Sequence, residues 1–185
     1  MGAERVGLLL IILGMSLFSV QDVFIKLISA KVSLTQILFT RASVGLILLI
    51  LYLWYTKRPI KLDSAYPLIA LFRGVGFFIG FTLFYVSISK IPLAEANSLF
   101  FVNPIIVTLL SVYFLKVSIG INRVSAVIVG FLGTLLIVKP SFSNFNWYML
   151  LPLFTALFYS VGMLLAKVTS DKDDAFQQSF HLYLG

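Results

Sequence analysis

Apolar runs of roughly 20 residues follow one another through this chain almost without pause, and each is the length a helix needs to cross ~30 Å of hydrocarbon. That spacing leaves no room for a soluble domain between them. With 185 residues, 60% hydrophobic and 11% charged, and a mean hydropathy of +1.04, the chain cannot clothe itself in water-facing side chains. It reads as an all-α membrane protein. The first run, Val6 to Ile28, is too long for a signal-peptide core and has no small-x-small cleavage site before Lys31, so it is expected to be retained.

Membrane helices are predicted at about 6–28, 34–55, 66–89, 93–115, 122–138 and 147–168, with a seventh starting near 174. The punctuation has physical causes. Ser33 and Gln36 form an S-x-x-Q capping box; Asp63, Ser64 and Pro67 open the third helix and Pro92 the fourth. Asn122 and Asn146 suit N-caps of the fifth and sixth, and Lys139-Pro140 stops the fifth. Short connections force neighbouring helices antiparallel.

The net charge of +7 has the sign of a nucleic-acid binder, but its basic residues sit mostly at helix ends, where they set membrane orientation. Arg5, Lys57, Arg58, Lys61, Lys116, Arg123, Lys167 and Lys172 fall on the side of the N-terminus, against Lys26, Lys31, Lys90 and Lys139 on the other. The bias predicts a multi-pass inner-membrane protein with a cytoplasmic N-terminus. No nucleic-acid partner is expected; the bilayer and a small-molecule substrate are.

Sliding the chain along itself by 141 residues lays Leu9, Leu10, Ser19, Val20, Lys26, Ser29, Gln36 and Phe39 over Leu150, Leu151, Ser160, Val161, Lys167, Ser170, Gln177 and Phe180, without a gap. This indicates an internal duplication. Five predicted helices separate the copies, an odd number, so the second copy enters from the opposite face: an inverted repeat, the construction of many secondary transporters. The expected domains are a first five-helix repeat over 1–140 and the start of a second over 141–185. Ending inside an apolar helix would leave unpaired backbone groups at membrane depth, so the expectation is a fragment of a protein of about ten helices, cut in its seventh.

Several side chains inside these runs are candidates for chemistry. Asp22 and Lys26 are one helical turn apart, so an ion pair is easy; in the functional reading Gln21 and Asp22 meet substrate or a coupling proton, and in the alternative Asp22 only neutralises Lys26. The repeated Lys26 and Lys167 fall at helix C-termini and read as structural. Arg41 and Arg73 lie about seven residues inside their helices, ~10 Å of rise, deep enough to want a partner: an anionic group of the substrate, or else a headgroup or helix-end carbonyl. Gly76 and Gly80 form a GxxxG step for close helix approach. Glu95, Asn97, Ser98 and Asn103 make the fourth helix the most polar, and Pro104 is expected to kink it at mid-membrane. Glu95 is placed either to couple protons or simply to meet the helix N-terminus. Phe77, Phe78, Phe81, Phe84 and Tyr85 crowd the third helix as core or lipid contacts, while Tyr85 and Tyr159, with polar tips, suit a substrate wall.

Enzyme signatures are missing. The single histidine, His181, has no partner at metal-ligand spacing, no cysteine is present, and neither G-x-S-x-G nor a Walker sequence occurs, so no cofactor or metal is expected. The substrate-binding set is therefore Gln21, Asp22, Arg41, Arg73, Tyr85, Glu95, Asn97, Asn103 and Tyr159. The first reading is a secondary transporter moving a small polar or amphipathic metabolite across the inner membrane by alternating access; a half-size or noncatalytic scaffold subunit is the second and an intramembrane enzyme the third.

From Arg73 to Pro140 the sequence resembles the EamA family of the drug/metabolite transporter superfamily. The resemblance is carried by the arginine-glycine and aromatic run of the third helix, by ISKIPLAEANSLFFVNPIIVTLLSVYFL, and by GFLGTLLIVKP. It implies a ten-helix carrier of two inverted five-helix halves, cytoplasmic termini, and a central cavity lined chiefly by the first, third, fourth and sixth helices. The Arg73-Gly74 opening looks most like the branch that includes S-adenosylmethionine uptake carriers. One departure is Leu115-Lys116-Val117, where the family often carries an acidic residue after L-G; this puts in doubt a gate or cap that relies on that acid.

Overall fold

A computed structural model describes residues 3–29, 31–58, 63–116, 118, 120–138 and 146–184. Lys61, Val117 and the expected stop at Lys139-Pro140 lie outside the described residues. The chain runs α1 (Ala3–Ile28), α2 (Leu34–Tyr55), α3 (Pro67–Lys90), α4 (Leu93–Phe100), α5 (Asn103–Leu115), α6 (Ile121–Val138), a 3-10 turn (Trp147–Met149), α7 (Leu151–Thr169) and α8 (Ala175–Leu184). Five stretches are long and apolar enough to span a bilayer: Arg5–Ile28, Leu34–Tyr55, Pro67–Lys90, Leu93–Leu115 and Trp147–Thr169. This is an all-α, multi-pass membrane protein. Within α6 the apolar described stretch, Val124–Gly133, is shorter than a span.

The helix ends follow the residues that make them. Ser33 caps α2, its Oγ accepting from the Gln36 amide at 3.3 Å, while the Gln36 side chain turns back to accept from Ser33 Oγ at 3.2 Å. At the far end of α2 the Lys57 amide donates to Trp54 and the Arg58 amide to Leu53, a Schellman closure. It places Lys57 at φ 51°, a left-handed position that a glycine would occupy with less strain. Pro67 opens α3 and Pro92 precedes α4, as their missing amides favour. Asn146 accepts from the Tyr148 amide at 3.1 Å and caps the 3-10 turn. Asn122 differs from expectation. α6 already begins at Ile121, so Asn122 lies inside the first turn rather than at its cap.

The predicted kink on the fourth span is a break. α4 ends at Phe100 and α5 resumes at Asn103, with Pro104 in its first turn, where a residue without an N–H removes no helical bond. Asn103 holds the break against α7, its Nδ2 donating to Ala156 O at 3.1 Å and Ser160 Oγ at 2.8 Å.

The most extensive packing joins α3 to α7. Lipid offers no hydrophobic gain for joining two helices, so small residues and interhelical hydrogen bonds carry the contact. A Cβ on Gly80 would meet Phe158 Cβ at 3.4 Å, and Thr155 Oγ1 donates to Gly80 O at 3.1 Å. Gly76, the other half of the GxxxG step, faces the same Phe158 ring. Gly162 on α7 gives its space to α3 in return, since a Cβ there would lie 2.7 Å from the Phe77 ring. A buried cluster of Ile25, Phe84, Tyr85, Ile88, Ile91, Ala96 and Met149 fills one end of the bundle. α1 and α2, by contrast, expose large apolar side chains on nearly every turn, the surface a lipid-facing helix presents.

Candidate functional site

Four helices bring polar groups to one level. Counted from the end of the bundle that holds the α1–α2 and α3–α4 links, Asp22, Arg41, Tyr85 and Tyr159 each lie five to eight residues inside their helix, ~8 to 12 Å of rise. Antiparallel packing turns four unrelated sequence positions into one layer.

Arg41 is its centre. The guanidinium carbon stands 3.9 Å from the Phe81 ring centroid, 5.7 Å from that of Tyr85 and 5.9 Å from that of Phe18. A guanidinium over ring faces gains about 0.5 to 2 kcal/mol each from the ring quadrupole, which offsets part of the cost of holding a charge inside the membrane. Asp22 on α1 is the carboxylate at this level, and Tyr85 and Tyr159 bring phenols to it from α3 and α7. Gln21 Nε2 donates to Tyr85 Oη at 3.1 Å, fixing the phenol of a residue only 2% exposed. Asp22 and Arg41 remain half-buried.

Lys26 does not take Asp22 as its partner. Its ammonium donates to the carbonyls of Ile88 and Ile91, the latter at 3.0 Å, where α3 ends. Those carbonyls have no amide partner further along the helix, and a cation there also meets the negative end of the helix dipole. Lys26 thus caps a neighbouring helix as well as ending its own.

Beside the polar layer stands an aromatic wall. The Tyr159 ring meets Phe77 edge to face at 5.1 Å, Phe100 at 5.7 Å and Phe81 at 6.4 Å. Phe77 reaches this place because Gly162 has no side chain. Gly162 is also the position that the 141-residue offset lays over Gln21, and the two positions do different things: Gln21 on α1 supplies an amide bonded to Tyr85, and Gly162 on α7 leaves room for a ring. Phe81 belongs to both groups, and Phe78 points outward.

The expected site residues divide accordingly. Gln21, Asp22, Arg41, Tyr85 and Tyr159 are gathered into the layer. Asn103 is buried in its bonds to Ala156 and Ser160. Arg73 stands elsewhere, 2% exposed, its Nη2 donating to Gln178 O at 2.9 Å and its Nη1 to Thr169 Oγ1 at 3.5 Å. Glu95, in the first turn of α4, and Asn97 on the same helix are half-buried and outside the layer's contacts. Phe18, Phe81 and Gly162 join the site without having been singled out as members of it. Phe18 carried no polar atom to mark it, and a glycine's role is visible only when the ring that fills its space is known. Among the described residues no cluster of His, Cys, Asp and Glu is arranged to hold a metal.

The profile of the EamA-like transporter family matches residues 5–139. The chain is 30% identical over 176 residues to a pseudopaline exporter of Pseudomonas aeruginosa, an alignment covering 95% of this chain and 61% of that protein. It is 26% identical over 164 residues to an S-adenosylmethionine uptake transporter of Rickettsia bellii, covering 88% of this chain and 56% of the relative. Over 94 residues it is 29% identical to a riboflavin transporter of Vibrio cholerae, covering 51% and 32%. The chain therefore spans less than two thirds of the length of these relatives. No solved structure matches it.

Proposed function

The chain belongs to the EamA-like transporter family, and from that premise we propose that its gene product is a secondary transporter for a small polar or amphipathic metabolite, working by alternating access. In this reading the protein is built of two inverted five-helix repeats, the first over 1–140 and the second beginning over 141–185, set in the inner membrane with the N-terminus cytoplasmic. The eight-to-four distribution of basic residues and the odd number of helices between the copies support it.

The observation that carries the proposal is Arg41. A guanidinium held 3.9 Å over Phe81 and half-open, at the same level as Asp22 and with no hydrogen bond to the other described residues, is a charge maintained at membrane depth. Intramembrane charges cost about 2.5 to 3.5 kcal/mol even on the most lenient insertion scale, so an arginine left available marks a substrate pathway. Its planar fork suits a carboxylate or phosphate. Asp22 beside it serves a substrate cation or a coupling proton, and the Phe77, Phe81, Phe100 and Tyr159 wall takes an apolar or planar portion. Such a polar layer against an aromatic wall fits an amphipathic solute that carries both charge and ring.

The relatives are named for both export and uptake, so direction is left to experiment. Counterflow in proteoliposomes holding the intact gene product tests the reading, with S-adenosylmethionine, riboflavin and a cell metabolite extract as trapped pools. Saturable exchange with at least one pool is expected; exchange with none removes the transporter assignment. For Asp22, the Asn variant is expected to lower transport at least fivefold at unchanged membrane abundance. Parallel loss of both would reduce Asp22 to a folding role.

A further inference from the structure

The end of the bundle opposite the Arg41 layer is closed by a polar network that the transport site does not use. Asp173, in the turn between α7 and α8, is only 3% exposed, yet it is a carboxylate. It accepts from the Ser64 hydroxyl and, at 2.9 Å, from the Ala65 amide, both in the link that leads into α3. Gln177 Nε2 donates to Asp63 O in the same link. Arg73 completes the network from α3, bonded to Thr169 and Gln178 and acting electrostatically on Asp173. Every bond joins segments roughly 100 residues apart in the chain.

We propose that this Asp173-centred network is a gate, holding that end of the bundle shut so that Arg41 is reached from the opposite side. The inference rests on the transporter reading and adds to it the residues that close one face. Three observations separate it from ordinary packing. The network sits between a link and a turn, while the lasting α3–α7 contact is made by Gly80 and Thr155 inside the helices. Arg73, Thr169, Asp173 and Gln177 are 7% exposed or less, with Ser64 half-buried at the rim, whereas at the other level Gln21, Asp22 and Arg41 are half-buried around the buried Tyr85, so the charged groups at the two ends are covered to different degrees. And its bonds are polar and placed at the end of the span, where water can replace each partner on opening; the net cost is about 0.5 to 1.5 kcal/mol per neutral bond and up to 3 where a charge takes part. Eight residues of α3, ~12 Å, separate Arg73 from Phe81, so opening at Asp173 leads toward the Arg41 layer rather than away from it.

Because these 185 residues contain no cysteine, a single reporter thiol can follow the gate. Leu164, 8% exposed on α7 between Tyr159 and Thr169, is the place for it. In the intact gene product with Leu164→Cys as the only thiol, reaction with a charged methanethiosulfonate is measured in inside-out and right-side-out vesicles. Asp173→Ala is expected to raise the rate at least tenfold from the N-terminal side alone. Ser64→Ala with Gln177→Ala, which keeps the carboxylate, is expected to raise it from that side by a smaller factor. Equal acceleration from both sides would mean that the network merely holds the fold together, and no acceleration in either well-inserted variant would mean that it closes nothing; each result overturns the gate. Failure of the transporter reading shows separately, as absent counterflow with the accessibility shift intact.

Discussion

Arg41 has two kinds of neighbour, and they make separable predictions. The ring faces of Phe81, Tyr85 and Phe18 surround the cation, and among the described residues it makes no hydrogen bond, so in the proposed site its N–H fork is what a ligand meets. Arg41→Lys keeps the charge but loses the fork and the stacking surface, and is expected to raise the transport KM about tenfold, which corresponds to ~1.4 kcal/mol. Arg41→Gln is expected to abolish measurable transport while membrane abundance stays within twofold. Gln21 and Tyr85 form a simpler case. Removing their bond with Tyr85→Phe costs about 1 kcal/mol or leaves the amide wet, and Gln21→Ala removes the same interaction from the other side. In a double-mutant cycle on detergent melting the two effects should fall short of additivity; full additivity would show that the 3.1 Å contact carries no energy.

Among elements, the broken fourth span and the glycine of α7 are the informative ones. The Asn103-Pro104 break was legible because a proline's missing donor is a local fact. What holds it was not legible: the Ala156 carbonyl and the Ser160 hydroxyl are more than fifty residues away. Asn103→Asp removes two buried donors and turns a carboxylate toward a carbonyl, so its melting temperature should fall further than that of Asn103→Ala, itself expected to cost about 1 to 3 kcal/mol. Gly162→Ala forces the Phe77 ring out of its seat, an overpacking of about 1 to 3 kcal/mol. Phe77→Leu in the same chain should recover part of that loss, and a double variant no more stable than Gly162→Ala would show that the ring is not what the methyl meets. The same limit of local reading applies to the lysine and arginine of the early helices. Sequence showed that Arg73 needed a partner, and named a helix-end carbonyl among the choices. Only the fold shows that Gln178 and Thr169 satisfy it while Arg41 goes to a different level altogether.

At the scale of the whole molecule, the all-α class and the order of the helices were readable because apolar runs and their Ser and Pro boundaries are set by bilayer thickness and backbone chemistry alone, while the number of spans was not: five described stretches are long and apolar enough, and α6 contributes only Val124–Gly133. Which helices form the interior was not. α1, α2, α3 and α7 are comparably apolar as sequences, yet α3 and α7 pair through Gly76, Gly80 and Gly162 while α1 and α2 lie exposed. Their difference is in where small residues line up across two helices, a property of the pair. The proposed repeat has the same character: its aligned lysines, Lys26 and Lys167, fall in the last turns of α1 and α7, while its aligned positions Gln21 and Gly162 differ, one bonding Tyr85 and the other seating the Phe77 ring. At this scale the central proposal is that the Arg41 guanidinium, held over Phe81, binds the substrate. It is tested most directly by counterflow with the intact gene product beside its Arg41→Gln variant. Saturable exchange in the first and none in an equally abundant, equally stable second is the predicted result, and undiminished exchange in Arg41→Gln would contradict the account.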